Sequence, residues 1–550
     1  MNASRILLLS NARPLRAWRV AQRIMQEIPG AEICGIIQQP MEKLPLAQRH
    51  IASGDKVHKG WFRLLREKVV HRALWVVHGC PPNLNAAEEF TAEKLAKKCN
   101  PMGWPFLAEN IGAINVVDFI RRQNAGLILV LGELPLNPEL LSVLSHDVIR
   151  ARAQTGPEQV LQITIEHFAR GSGGAFTIAS LNIPLQPYDG SSGFTLKTDL
   201  ITDDLLLQTA AGLQTGTGIQ TSKTVTEWTR KIVEPYLAQL EPAPIKTAQA
   251  GIFNQRFRST WKLCLDTLSL CSLFAARNWY RRLRGQYPVL VLAHHLISDR
   301  PHRMGMTTED FWKVLCFLQR HYRIVSLSQA FELLRLGDVK VPTLVLTFDD
   351  GYADNFVSLR AVAQEAGIPV TLFIATQPVE IQREFLHDSA QGIRGLLPLT
   401  WDQIRYWSLR GAEFGSHTRT HCDCGSIDRV KLEWELIGSR HDLEGHLGKP
   451  VSFFAFPFGQ PKNISSDAIE VAASTYAYFA SCLGGENLPN QAMEGRRHFL
   501  RKTFYSDLWE LELELQSVFD WVDAIKQKIG RKQPEPNNLP DRVSVASAFE

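Results

Sequence analysis

Short apolar runs recur along this chain, and stretches with helical spacing stand between several of them. Ile6–Leu9, Ile33–Ile37, Leu127–Leu131, Val289–Leu292 and Leu344–Phe348 are such runs. Crossing a bilayer as a helix takes about 18 or more apolar residues, so these are buried strands and no transmembrane segment is expected. Leu15–Ile28 and Ile114–Arg122 carry helical periodicity between them, and Gln162–Phe168 and Phe176–Ile183 read as further strands around the turn Arg170–Gly174. From Val289 to about Val522 strands and helices alternate again. Such alternation predicts parallel α/β sheets.

A chain of 550 residues exceeds one hydrophobic core. The expected division is an α/β domain over 1–205, a mostly helical connector over 206–286, a second α/β domain over 287–530 and a disordered polar tail over 531–550. Within the connector, Leu268–Arg284 is apolar first and then basic. A solvated linker helix is expected there in preference to contact with a membrane surface. The formal charge of +4 and the lack of a basic stripe interleaved with aromatics argue against nucleic acid. Nine scattered cysteines fit a reducing compartment, and the run Ile6–Leu9 is too short for a signal peptide, so a cytoplasmic protein is expected.

The strand Leu344–Phe348 delivers two adjacent carboxylates, Asp349 and Asp350, at its C-terminal end, where α/β folds place reactive groups. Neighbouring side chains of an extended segment diverge, so one carboxylate can bind a metal while the other stays free as a base. About 70 residues later, Phe414-Gly-Ser-His-Thr-Arg-Thr-His421 offers two imidazoles four residues apart. A helical turn would put both on one face, and an oxygen ligand would complete a three-ligand site with room for water. Cys422 and Cys424 follow directly and are expected to be loop or packing thiols.

These segments resemble the polysaccharide deacetylases of the NodB-homology type (carbohydrate esterase family four) over about 287–522. The resemblance is carried by Leu346-Thr-Phe-Asp-Asp-Gly-Tyr352, Gly367-Ile-Pro-Val-Thr-Leu-Phe-Ile374, Leu399-Thr-Trp-Asp402, Gly415-Ser-His-Thr-Arg-Thr-His421 and Phe454-Ala-Phe-Pro-Phe-Gly459. It implies a distorted (β/α) barrel with fewer than eight complete units, one divalent metal, often zinc, held by Asp350, His417 and His421, and Asp349 as general base. Within Val291-Leu-Ala-His-His-Leu296 it implies His295 as the acid that protonates the departing amine. Two positions depart from the pattern. Ala455 stands where many members carry an arginine that orients the catalytic Asp, a role for which Arg501 is the candidate, and Phe458 replaces a tyrosine.

The first half resembles a Rossmann-like formyltransferase domain through Arg5–Ser10, Gly35-Ile-Ile-Gln-Gln-Pro40 and Ala125-Gly-Leu-Ile-Leu-Val-Leu-Gly132. That family needs Asn-x-His and a later Asp, but the aligned positions here are Arg150-Ala-Arg152 and Gly173. Arginine cannot serve as the neutral imidazole, so a catalytically inactive domain kept for binding or assembly is expected, with Arg150 and Arg152 as possible anion contacts. The whole reads as a hydrolase acting on carbon–nitrogen bonds. It would remove N-acetyl (or O-acyl) groups from an amino sugar or glycan precursor. The alternative is a non-catalytic glycan-binding or assembly protein of polysaccharide biosynthesis.

Overall fold

A computed structural model describes residues 4–39, 103–109, 114–132, 147–155, 160–168, 175–184, 191–215, 218–240, 274–300, 304–489 and 497–520, with 134, 136, 141 and 302 between them. The tail over 531–550 and Gly173 lie outside the described residues.

The N-terminal sheet contains β1 (Ser4–Ser10), β2 (Ala31–Gln38), β3 (Phe106–Ala108), β4 (Leu127–Leu131), β5 (Asp147–Thr155), β6 (Val160–Phe168) and β7 (Ala175–Pro184), in the order β3-β2-β1-β4-β5-β6-β7. The first five strands in that order are parallel, and β5, β6 and β7 pair antiparallel. Ile6 and Leu8 of β1 join one core cluster while Leu7 and Leu9 join another on the opposite face. Burial on both faces is why β1 reads as an unbroken apolar run rather than an alternating one.

The second unit begins with β8 (Val289–His294), followed by a two-strand pair of β9 (Leu296–Ile297) and β10 (Gly305–Met306), and then β11 (Arg323–Ile324). The remaining strands are β12 (Thr343–Phe348), β13 (Thr371–Ile374), β14 (Glu413–Ser416), β15 (Phe453–Ala455), β16 (Tyr478–Ser481) and β17 (His498–Thr503). β12 through β17 pair in sequence order, β17 pairs with β8 and β8 with β12, which closes a barrel of parallel strands. β11 pairs only with the first residues of β12, so the barrel has seven complete strands. Val291, Val345, Phe373, Ala455, Ala480 and Phe499 fill the interior. Leu344, Leu346 and Phe348 point outward into the helical layer, where Phe311, Leu315 and Leu359 meet them in one cluster.

The boundary expected at 205/206 falls inside a single helix, Ser191–Thr215. Its apolar residues Leu196, Leu200, Leu205 and Leu207 are buried in the cluster that holds Ile163 and Leu181 of the N-terminal sheet and Leu359 and Ala363 of the barrel's outer layer. The stretch expected as a connector is likewise packed as far as Tyr236, with Val225, Trp228, Ile232 and Val233 also buried. Ile232, in a π-helical turn Thr229–Val233, accepts a hydrogen bond from buried Gln403 on the helix Trp401–Ser408.

Charge completes this joint. Helix Pro14–Glu27 carries Arg16 and Arg23, both almost fully buried. Arg16 grips Asp203 through Nε (3.0 Å) and Nη2 (2.6 Å). Asp204 receives Arg23 at 2.6 Å on one oxygen and Arg360, from the barrel's outer helix Ser358–Ala366, at 2.7 Å on the other. Arg410 reaches Glu27 at 2.7 Å. Buried carboxylates are tolerable when paired, and strongly destabilising when one partner is removed. Replacing Asp204 by Ala removes the acid from buried Arg360 and leaves Arg23 with Glu27 alone among the described acids, so we expect a loss of about 3–5 kcal/mol. A thermal melt checks it, with the exposed pair Lys231–Glu227 as control: Glu227→Ala should leave the melting temperature nearly unchanged.

Candidate metal centre and active site

The site forms where β8, β12, β14 and β17 end. After β12 the chain turns sharply, with Asp350 at φ 70° and Gly351 at φ 92°. A side chain at 351 would meet Ile374 Cδ1 at 2.8 Å, so the position admits only glycine. This turn sends the two carboxylates to different partners.

Asp349 points into the barrel, where both its oxygens are held by Arg501 of β17, at 2.6 Å (Oδ1–Nη1) and 2.9 Å (Oδ2–Nη2). Arg501 also donates to Thr347 Oγ1 at 3.2 Å and lies over the Phe373 ring. Burial pushes the Asp349 carboxyl up, but Arg501 and His417 outweigh it and hold the group below the ordinary carboxylate range.

Asp350 is buried among imidazoles. His421 Nε2 stands 3.0 Å and His417 Nε2 3.5 Å from Oδ1, and His387 Nε2 stands 3.7 Å from Oδ2. Neither oxygen accepts an aligned hydrogen bond from any described residue. His417 Nδ1 donates to the Ala455 carbonyl at 2.7 Å, which leaves the Nε2 lone pair facing Asp350. Burial and neighbouring charges push His417 down to about 4, so it is neutral at ordinary pH. A neutral imidazole with its tautomer fixed, beside a buried carboxylate without hydrogen bonds, is the chemistry of a divalent cation site. Asp350, His417 and His421 can bring one donor atom each within 4.8 Å of one another.

His417 and His421 do not share a helical turn. They sit on an irregular loop in which Thr418 (φ 64°) and His421 (φ 59°) are left-handed. The loop is held by buried Glu435 of the helix Arg429–Leu447, which accepts from the amides of Arg419 and Thr420, both at 2.9 Å, and from Thr420 Oγ1 at 2.6 Å. Asp442 of the same helix clamps Arg419 at 2.9 and 2.8 Å.

Of the two histidines ending β8, His294 is packing. Its ring lies edge-on to Phe348 and Phe504, and burial pushes it down to about 3. His295 is half-buried just past the end of β8, and its carbonyl accepts from Asn355 Nδ2 at 2.8 Å. Phe458, half-exposed, lies edge-on to His421 at the mouth. Cys422 and Cys424 face each other at 3.9 Å between sulfurs, outside the Asp350 cluster.

His387 is a site residue the sequence did not single out. Its ring packs on His421 at 4.1 Å between centroids, and its Nε2 lies 3.1 Å from Tyr352 Oη, which donates to buried Asp388 at 2.7 Å. Its only sequence signal was the dipeptide His387-Asp388 in an aperiodic stretch. In the N-terminal sheet, Arg150 is tied to Glu166 at 2.8 Å and to the Leu134 carbonyl, and Arg152 reaches the same Glu166 at 3.3 Å. Both arginines thus share one carboxylate, with Arg150 the more closely held and Arg152 the more exposed.

Residues 337–478 match the sequence profile of the family described as polysaccharide deacetylase. YxkH of Bacillus subtilis (strain 168), whose name assigns it to the polysaccharide deacetylases, is 21% identical over 174 residues, covering 31% of this chain and 56% of its own length. A gellan lyase from Bacillus sp is 28% identical over 162 residues, which is 29% of this chain and 5% of the lyase. The chain thus spans about half of one of these curated relatives and a small part of the other. Among solved structures, Streptococcus pyogenes deacetylase PplD in complex with acetate is matched over 99% of its length and 42% of this chain, at 17% identity and a TM-score of 0.36. Phosphoribosylglycinamide formyltransferase from Bacillus halodurans is matched over 96% of its length and 41% of this chain, at 12% identity and a TM-score of 0.24.

Two outcomes are expected. His387→Ala, which removes the imidazole beside Asp350 Oδ2, should weaken retention of a divalent cation about 10–100-fold in competition with a chromophoric chelator. Arg501→Met leaves Asp349 buried without its cation and should cost about 3–5 kcal/mol in urea unfolding, most of it recovered when Asp349→Leu is added.

Proposed function

Taking as premise that this chain carries a polysaccharide deacetylase domain, we propose that it hydrolyses N-acetyl (or O-acyl) groups of an amino sugar or glycan precursor. One observation carries the reading. A carboxylate fixed by both arms of Arg501 lies next to a second, buried carboxylate flanked by His417 and His421.

In this reading Asp350, His417 and His421 hold one divalent cation, with zinc the metal best suited to a carboxylate–imidazole set. When bound, the cation supplies a positive centre that lowers the pKa of a water and polarises the acyl carbonyl. Asp349 is the general base. Arg501 keeps it ionised and fixes its orientation, so that an oxygen is available to take the proton of the attacking water. Arg501 therefore acts through Asp349 as a positioning residue, and answers the absence of an arginine at Ala455. His295, just past the end of β8, donates the proton the departing amine requires, because an amide anion is a very poor leaving group. Phe458 at the mouth offers an apolar face to the sugar.

The test is acetate release from acetylated amino sugars together with bound cation. Wild type should hold one cation per chain and release acetate. Asp349→Asn should lower kcat by about 10²–10⁴-fold with the cation retained. His295→Gln should lose a similar factor on the acetamide but little on an aryl acetate, whose phenolate leaves without a proton. A wild-type chain that binds no cation and releases no acetate would sink the hydrolase and favour the binding or assembly reading.

A further inference from the structure

The helix Ala275–Arg284, which leads into β8, packs on the barrel by its polar side. Arg277 Nη2 donates to the Gln516 carbonyl at 2.9 Å, Asn278 Nδ2 to the Gln516 side chain at 2.6 Å, and Arg281 Nη1 pairs with Glu486 at 3.2 Å. Its apolar residues face the other way. Trp279 is 62% exposed, Tyr280 54% and Leu283 64%, and no residue of the helix is buried. A solvated linker helix would do the reverse, with its apolar stripe on the protein and its arginines outside.

Ala276, Trp279, Tyr280 and Leu283 follow the spacing that places side chains on one helical stripe. Arg282 and Arg284 flank Leu283 in sequence and so project about 100° to either side of it. Both are exposed, and neither has an acidic partner among the described residues. The helix carries four arginines and no acid. An aromatic and aliphatic stripe edged by guanidiniums without acidic partners, Arg284 lying over the Tyr280 ring, has one natural complement. Tryptophan and tyrosine rings settle at headgroup depth, leucine reaches the acyl boundary, and guanidiniums bond lipid phosphates. We propose that this helix docks the protein on an anionic lipid surface.

The placement leaves the active site free. Glu486, which anchors the helix, precedes Asn487, and Asn487 bridges to Val289 at the start of β8. The docking face therefore lies at the end of the barrel where strands begin, opposite the metal centre.

Flotation of the full chain with lipid vesicles tests the proposal. The chain should float with vesicles of phosphatidylcholine mixed with phosphatidylglycerol, stay behind with phosphatidylcholine alone, and be released by salt. Arg282→Gln with Arg284→Gln should weaken partitioning about thirtyfold, at roughly fivefold per arginine. Trp279→Ser with Leu283→Ser should also reduce it, while the melting temperature of both variants stays that of wild type because the replaced side chains are exposed. Failure of wild type to float with the mixed vesicles overturns the proposal, as does flotation of the variants equal to wild type. So does a wild-type dimer in light scattering that becomes a monomer on Trp279→Ser, since the face would then be a contact between copies.

Discussion

A guanidinium inside a closed barrel is tolerable only where its charge is answered, and among the described acids Arg501 is answered by Asp349. The two-pronged contact at 2.6 and 2.9 Å bridges β17 to the end of β12, with β8 lying between them. It separates the surroundings of the two adjacent carboxylates. Asp349 is committed to a cation of the protein itself, so it is ionised and fixed in direction. Asp350, turned away by the left-handed backbone at 350 and 351, has no such partner and faces imidazoles instead. Two adjacent carboxylates thus meet different surroundings because one of them is already neutralised. Geometry at a strand end, not any intrinsic difference between two aspartates, sets them apart.

The support around these residues has the same logic. His417 presents Nε2 because its Nδ1 proton is spent on the Ala455 carbonyl, so the position that lacks a side-chain orienter contributes through its backbone. The loop that carries His421 pays for its two left-handed residues with three hydrogen bonds into Glu435, a carboxylate with no exposed surface. Strain of this kind persists only where the surroundings fix it.

Much of this was legible in the sequence, and what was missed has physical causes. Strands buried on both faces announce themselves as continuous apolar runs, which is why β1, β4, β8 and β12 could be read directly. The Asp349-Asp350 pair and the two histidines were legible as chemistry, but the i,i+4 spacing of His417 and His421 was read as a helical turn. A loop with two positive φ values spans the same four residues, and Glu435, which stabilises it, lies 14 residues downstream of His421. Arg501 came from family resemblance alone, because nothing local to β17 says which charge its guanidinium will meet. His387 lies in an aperiodic stretch, and only folding brings it over His421.

The division at 205 failed for a different reason. Asp199, Asp203 and Asp204 lie on the helix that crosses that boundary, and they are consumed by Arg13, Arg16, Arg23 and Arg360, so that helix has no solvent side over these residues. A carboxylate on an apolar helix is ambiguous until its partner is known, and here the partners come from both halves of the chain. The consequence reaches the N-terminal half. If the arginines of β5 are closed off by Glu166, that sheet still covers one face of the helix Ser191–Thr215, and the barrel's outer helices cover another. Without residues 1–190, Asp199 and Asp203 would lose Arg13 and Arg16, while Asp204 would keep Arg360. The N-terminal sheet is thus held in place by the core it shares with the barrel's outer helices.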